Sequence, residues 1–227
     1  MRVHSIFQSI NGEVTSSHQG SLCTFVRLQG CNMKCRWCDT PRSRPLRGKN
    51  RTVKDIMDII YVQDVLNTDR VTITGGEPLM QLIELQELIL RLEEDRFDVT
   101  VETNGSLRFN KLAGKCCIVM DMKPISAFKN LSNAEVRYEE YMTKAMGYSE
   151  DLKETDWVKF PIQTKEDLQL AMKHSACIAA ERYVPKIAFS PVSPIDGATL
   201  YKWLRTSKPI TRNLVLNVQL HKLIGLA

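Results

Sequence analysis

The sequence predicts an α/β fold in which a parallel sheet, covered by helices, curls into a partial, open barrel of about six β/α units. Two observations carry this. Short β-branched or apolar runs alternate about six times with amphipathic segments, the pattern of strands joined by helical crossovers. The residues least expected in a core recur just after those runs, and in such folds the chemistry gathers at the C-terminal ends of the strands. With 227 residues, 43% of them hydrophobic, the chain can bury the core that such a sheet needs, and one domain over 1–227 accounts for it.

The candidate strands are SLCTFVRLQ (21–29), RVTITG (70–75), DVTVETN (98–104), CIVMDMK (117–123), DWVKFP (156–161), KIAFSPV (186–192) and NLVLNVQL (213–220). Helical patterns occupy 52–67, 78–95, 164–176 and 196–207, with a mixed stretch over 129–150. Thr164 and Asp196 are placed to cap the helices that follow them. At the strand ends stand QGC, TGGEP, ETNG, KPIS, SPVSP and QLHK, six segments expected to line one mouth.

A balance of 31 Lys and Arg against 26 Asp and Glu gives a net charge of +5, too mild to point to nucleic acid as a partner. No window approaches the roughly 18 apolar residues of a membrane span. The cysteine count is seven, an odd number, and the opening MRVHSIFQSINGEV has neither a signal-peptide apolar run nor transit-peptide character. A reducing, cytoplasmic setting is expected.

Three of the seven cysteines, Cys31, Cys35 and Cys38, fall within GCNMKCRWCDT (30–40). Four thiols would close a tetrahedral zinc site or complete an ordinary iron–sulfur cluster. Three leave one iron of a [4Fe-4S] cube without a protein ligand, open to a substrate or cofactor. Gly30 allows the backbone to come close to such a cube. A partial zinc site with a distant fourth ligand and a chance cluster of core cysteines are the alternatives that spacing leaves open. Cys23, Cys116, Cys117 and Cys177 lie in apolar runs and read as small core residues.

The C-x3-C-x2-C spacing, with Trp37 before the third thiol and TGGEP (74–78) after the next strand, resembles the radical S-adenosylmethionine (SAM) enzymes. The resemblance implies a partial barrel of the radical SAM type. It implies SAM bound through its amine and carboxylate to the open iron, and reductive cleavage to a 5′-deoxyadenosyl radical. On matching segments it implies cofactor contacts at Trp37, Gly75, Gly76, Glu77, Glu102, Asn104, Ser126, Pro191 and Val192.

Within that superfamily, FQSINGE, TFVRLQGCNMKCRWCDT, TGGEP, VETNG, DMKPIS and NVQLHKLIGLA resemble the 7-carboxy-7-deazaguanine synthase family over essentially the whole chain. That family contracts 6-carboxy-5,6,7,8-tetrahydropterin to a deazapurine with loss of ammonia, on the route to queuosine. The resemblance implies a Mg2+ site at Thr40, and Mg2+ accepts few protein oxygens while keeping substrate and water ligands. It also implies substrate contacts at Ile10, Asn11, Glu13, Arg27, Thr74 and His221, and at the carboxylate of Ala227. Asn11 stands where the family usually has Gln, which shortens one arm. Arg27 alternates with apolar neighbours in TFVRLQ, and a cation pointing into a sheet interior is costly unless paired. A planar guanidinium suits a carboxylate or a pterin edge. His221 is expected in a terminal strand, and Lys123 beside a carboxylate such as Asp121. A glycyl-radical-enzyme activating protein, which shares the cluster and SAM, is the alternative function.

Relatives of this kind are homodimers and take electrons from a donor such as flavodoxin or ferredoxin. Eight basic residues stand between Lys34 and Lys54 against one acid, Asp39. They read either as a solvated loop or as a docking patch for an acidic donor, since complementary charge chiefly raises encounter rate.

Overall fold

In a computed structural model, described for all residues except 64, 113, 181–183, 208–213 and 227, nine strands form one open sheet. The strands are β1 (Arg2–Ile10), β2 (Leu22–Leu28), β3 (Lys49–Asn50), β4 (Arg70–Gly75), β5 (Asp98–Thr103), β6 (Cys117–Asp121), β7 (Trp157–Ile162), β8 (Lys186–Pro191) and β9 (Leu214–Leu216). Their order across the sheet is β3-β1-β2-β4-β5-β6-β7-β8-β9. From β2 to β9 every neighbouring pair is parallel, and β1 and β3 add an antiparallel edge. All seven expected strands are present. The β1 edge was not foreseen, because its residues are half-buried on both faces and show little alternation.

The crossovers are α1 (Val53–Gln63), α2 (Leu82–Glu94), α3 (Ala134–Ser149), α4 (Lys165–Ile178) and α5 (Gly197–Ser207). The connection from β5 to β6 carries only a 3-10 turn at Asn110–Leu112. The expected helix over 78–95 divides into a 3-10 turn, Pro78–Gln81, followed by α2. Thr164 caps α4 in a reciprocal box with Asp167, and Asp196 accepts the Thr199 amide at the start of α5. The terminal run is not one long strand: β9 is short, and a final helix, α6 (Leu220–Leu223), carries His221.

Alternation along each strand sorts the side chains. One face of the sheet, with Val26, Ile73, Val101 and Met120, joins Leu85, Leu88 and Ile89 of α2 in the main core. On the other, concave face, Val14, Val119 and Ala188 form a small separate cluster with Trp157. Two residues further along the strands that same face turns polar, with Asp121, Lys159 and Ser190. The site therefore lies at the C-terminal ends of the parallel strands, as the topology requires. No described helix is long and apolar enough to cross a membrane.

Candidate active site

A cleft of about 790 Å³ opens at those strand ends, within the roughly 300–1,000 Å³ range of small-molecule sites. Its walls come from the loop after β1, the cysteine loop after β2, the ends of β4 to β8 and the C-terminal segment. The six segments expected at one mouth meet there, through Cys31, Gly75, Asn104, Lys123, Ser190 and His221 among others.

Cys31, Cys35 and Cys38 all face the cleft as free thiols. Gly30, at φ +101°, turns the chain out of β2, and the loop is tied back by Gly30 N–H to Ser43 O at 2.7 Å and Cys31 N–H to Arg44 O at 2.9 Å. The Cys31 sulfur accepts from the Met33 amide at 3.4 Å and the Asn104 side-chain amide at 3.8 Å. Amide donors onto sulfur are what an iron–sulfur site uses to stabilise its thiolates. Burial pushes the Cys31 thiol up and the Cys35 thiol to about 11, so both would have to give up protons to hold iron. The nearby Lys123 ammonium opposes that rise. Among the described residues no three His, Cys, Asp or Glu side chains gather as a site for a single ion. Three thiols on one loop match a [4Fe-4S] cluster with one iron left to another ligand.

Trp37 lines the cleft, its indole N–H donating to Ser126 Oγ at 3.3 Å. Ser126 itself is buried and its own amide is held by Asp167 at 3.2 Å. It braces Trp37 from behind and does not itself line the cleft. Glu77 likewise does not line the cleft. Its carboxylate is fully buried and accepts from Leu79 N at 3.0 Å, Thr103 Oγ1 at 2.8 Å and Asn104 N at 2.7 Å, clamping the TGGEP loop to the ETN turn. Burial nevertheless pushes Glu77 above the ordinary carboxylate range, against the pull of those donors.

The glycine pair of TGGEP has a second reason to be glycine. A Cβ on Gly76 would stand 1.8 Å from Gly30 O, and Gly76 N–H and Glu77 N–H donate to Leu28 O and Gly30 O at 3.0 and 2.7 Å. The pair thus packs the β4 loop onto the cysteine loop. Gly75, Gly76, Asn104, Pro191 and Val192 line the cleft as expected. Thr40 does too; its hydroxyl makes no capping bond to the 3-10 turn it begins and lies 3.9 Å from Cys38 Sγ, an oxygen of the kind a hard cation takes.

Away from the thiols the cleft is charged. Lys159 bridges Glu13 at 2.8 Å and Asp121 at 3.0 Å, and Lys123 pairs with Asp121 at 3.0 Å while lying 5.5 Å from the centre of the Trp37 ring. Burial alone would raise Asp121, but the ammonium groups of Lys123 and Lys159 outweigh it and hold it below its ordinary value. Thr74 donates to Glu102 at 2.7 Å. Burial raises Glu102, which stands with Glu13, Asp121 and Lys159. Arg27 lies 5.1 Å from the centre of the Phe7 ring. Arg27 Nε and Asp121 Oδ1 are buried without a hydrogen-bond partner, a cost on the order of 1–3 kcal/mol each that a ligand with both an acceptor and a donor would relieve.

The side-chain oxygen of Asn11 turns into the core and accepts from Thr72 at 2.7 Å and Cys23 at 3.1 Å, while Asn11, with Ile10, lines the cleft. His221 lines the cleft from α6, with its ring against Gly12, and burial lowers its pKa. Leu220 N–H and the Gln19 side chain both donate to Gly12 O at 2.8 Å, fixing the C-terminal segment to the NGE loop. Ala227 lies outside the described residues. Sequence reasoning missed Lys159 and Asn217, though the alternation that singled out Arg27 in TFVRLQ is equally present around Lys159 in DWVKFP.

Residues 25–120 match the family model of the radical SAM superfamily. The 7-carboxy-7-deazaguanine synthase of Methanospirillum hungatei is 35% identical over 230 residues, covering 100% of this chain and 86% of the relative. The chain belongs to the 7-carboxy-7-deazaguanine synthase family. The synthase of Clostridium acetobutylicum is 30% identical over 96% of this chain and 93% of its own length. In fold, the chain is similar to the crystal structure of QueE from Escherichia coli, with a TM-score of 0.66 and 22% identity over 97% of this chain and 94% of that one. SuiB of Streptococcus suis, solved with S-adenosylmethionine, gives 0.58 and 17% over 84% and 48%. This synthase family works with a [4Fe-4S] cluster, SAM and Mg2+, and nothing in these relatives favours an activating enzyme.

Because a Cβ on Gly12 would lie 1.9 Å from His221 Nδ1, Gly12→Ala must displace that ring. Product formation should fall by roughly tenfold or more, as expected when a side chain lining the cleft is displaced. Iron content and substrate-free SAM cleavage should be unchanged, which 5′-deoxyadenosine release measures.

Proposed function

We infer that this synthase converts 6-carboxy-5,6,7,8-tetrahydropterin to 7-carboxy-7-deazaguanine with loss of ammonia, in deazapurine biosynthesis. The observation that carries the reading is the polarity of one cleft, with three cluster thiols at one end and a set of paired charges around Glu13 at the other. When bound and reduced, the cluster and SAM supply a carbon-centred radical able to take hydrogen from substrate.

The chain's own residues orient the pterin for that step. Glu13 accepts from the guanidine-like edge of the ring, whose N–H donors need a carboxylate or amide. Arg27, with Nε unpartnered, takes the substrate carboxylate, and the Thr40 hydroxyl would supply an oxygen ligand to Mg2+. Thr74, fixed by Glu102, and His221, seated on Gly12, confine the ring from two sides. Gly75, Gly76, Asn104, Pro191 and Val192 provide the surface for SAM, with Trp37 beside the cluster. We place the chain in the cytoplasm as a single-domain homodimer.

Anaerobic reconstitution with iron and sulfide, followed by SAM, Mg2+, dithionite and the tetrahydropterin, should yield the deazaguanine by mass spectrometry, and Cys35→Ala should abolish it. SAM cleavage without this product would refute the substrate assignment.

The electron donor we propose is an acidic protein such as flavodoxin or ferredoxin, docking on the basic stretch beside the cluster loop. Arg42 and Arg47 are exposed there, whereas Arg44 is half-buried in the cleft wall. Reversing Arg42 and Arg47 to Glu should slow flavodoxin-driven turnover by roughly tenfold at low salt and leave dithionite-driven turnover intact. Equal loss with both reductants would rule the patch out.

A further inference from the structure

The assignment of Glu13 to the substrate leaves its own surroundings to be explained. Three elements meet behind it. Lys159 of β7 points onto the concave face with its ammonium 2.8 Å from Glu13 Oε2 and 3.0 Å from Asp121 Oδ2 of β6. Asp121 and Lys159 are direct partners in the strand register, so the pair is set by the sheet itself. Asn217, just beyond β9, donates to Ser190 Oγ at 2.7 Å and to Glu13 Oε1 at 3.4 Å, and its side-chain oxygen accepts the Val14 amide at 3.1 Å.

This is a closely enclosed arrangement, with the Lys159 side chain 6% exposed, Glu13 14% and Asp121 17%. Burial alone would lower the Lys159 pKa. The carboxylates of Asp121, Glu13 and Glu102 outweigh that and hold it well above its ordinary value. An ammonium in such a place is stable only while paired, and removing one partner of a buried pair strands the other. Glu13 itself stands on a loop between β1 and β2, so nothing in secondary structure fixes its rotamer. A carboxylate free to move would lose that freedom each time substrate bound, while one already held does not.

We propose that Lys159 is a positioning residue of the substrate site, which fixes the Glu13 carboxylate at the far end of the cleft by bridging it to Asp121. The proposal rests on the synthase reading, since it takes Glu13 to be a substrate contact. Lys159 acts through Glu13, so the two residues are not independent. In its absence two like charges, Glu13 and Asp121, face each other across the place it occupied, and Glu13 swings out of register with the pterin. The cluster end keeps its own supports, with Asp121 still paired to Lys123 and Trp37 to Ser126.

The test uses reconstituted, SAM-loaded holoenzyme and the tetrahydropterin itself, with its dissociation constant read by anaerobic equilibrium dialysis. Substrate-free SAM cleavage with dithionite is measured in parallel. Lys159→Met should weaken pterin binding by roughly thirtyfold or more, the low end of the range for breaking a buried charge pair, with SAM cleavage within about twofold of the parent. Lys159→Arg, which keeps the charge, should recover most of the affinity. The double variant Glu13→Gln with Lys159→Met should bind no worse than Glu13→Gln alone, within about twofold, because coupled residues are not additive. Additive losses in the double variant would mean that Lys159 acts independently of Glu13, and equal losses in binding and SAM cleavage would mean a purely structural ion pair. Either result, or parent-like binding by Lys159→Met, overturns the proposal. If Lys159→Met does not fold, the double variant against Glu13→Gln decides alone. A parent enzyme that fails to bind the pterin would remove the synthase reading and this inference together. A parent that binds and turns it over beside an unaffected Lys159→Met removes the inference only.

Discussion

Charge taken out of water has to find its partner inside the protein, and the concave face of this sheet is organised by that requirement. Arg27 from β2, Glu102 from β5, Asp121 from β6 and Lys159 from β7 all point to the same side, and Glu13 and Lys123 approach from the loops at the strand ends. No one of these strands could carry its charge inward alone. Lys159 is answered by Asp121 on the neighbouring strand and by Glu13 above it, and Asp121 is answered again by Lys123. The pairing is incomplete at two atoms, Arg27 Nε and Asp121 Oδ1, and both belong to residues of the cleft wall. Stability and recognition are thus the same problem here. The set is closed enough to hold the strands in register and open enough to take a ligand with groups of both signs.

Around that centre, the loops hold one another rather than standing free. Glu77 joins the β4 loop to the β5 turn, Gly76 lets the β4 loop lie on the cysteine loop, and Asp167 reaches Ser126, which receives the Trp37 indole. Tyr141 adds another tie, donating to Asn104 O at 2.7 Å and accepting the Lys123 amide at 2.8 Å. Gly12 performs the corresponding service for the C-terminal segment, by receiving the face of His221. A radical enzyme needs such a frame, because the protein's share of the chemistry is to orient and to exclude side reactions.

Much of this was legible in the sequence, for definite reasons. Strands buried on both faces leave apolar runs that are hard to miss, and three thiols in eight residues have few other uses. What escaped was orientation. A motif gives the place of Glu77 and Ser126 near a cofactor, but the same letters serve whether the side chain faces the cleft or braces the wall behind it. Asn11 was expected to reach for substrate, and its side-chain oxygen turns to Thr72 and Cys23. α6 is only four residues long, too short to show a helical period, so His221 was placed in a strand. Lys159 carried the same signal as Arg27 and lacked only a motif around it to draw attention. Asn217 gave no signal, since two of its three partners, Glu13 and Val14, lie more than two hundred residues away.

The central claim is that one cleft holds the cluster at its thiol end and the pterin against the paired charges at the other. A crystal structure of the anaerobic holoenzyme with SAM, Mg2+ and the tetrahydropterin tests it most directly. The account predicts the 2-amino edge of the pterin on Glu13, with the Glu13–Lys159–Asp121 bridge intact, and the substrate carboxylate between Arg27 and the ion at Thr40. A pterin bound with its ring reversed, or seated away from Glu13 with that bridge broken, would contradict it.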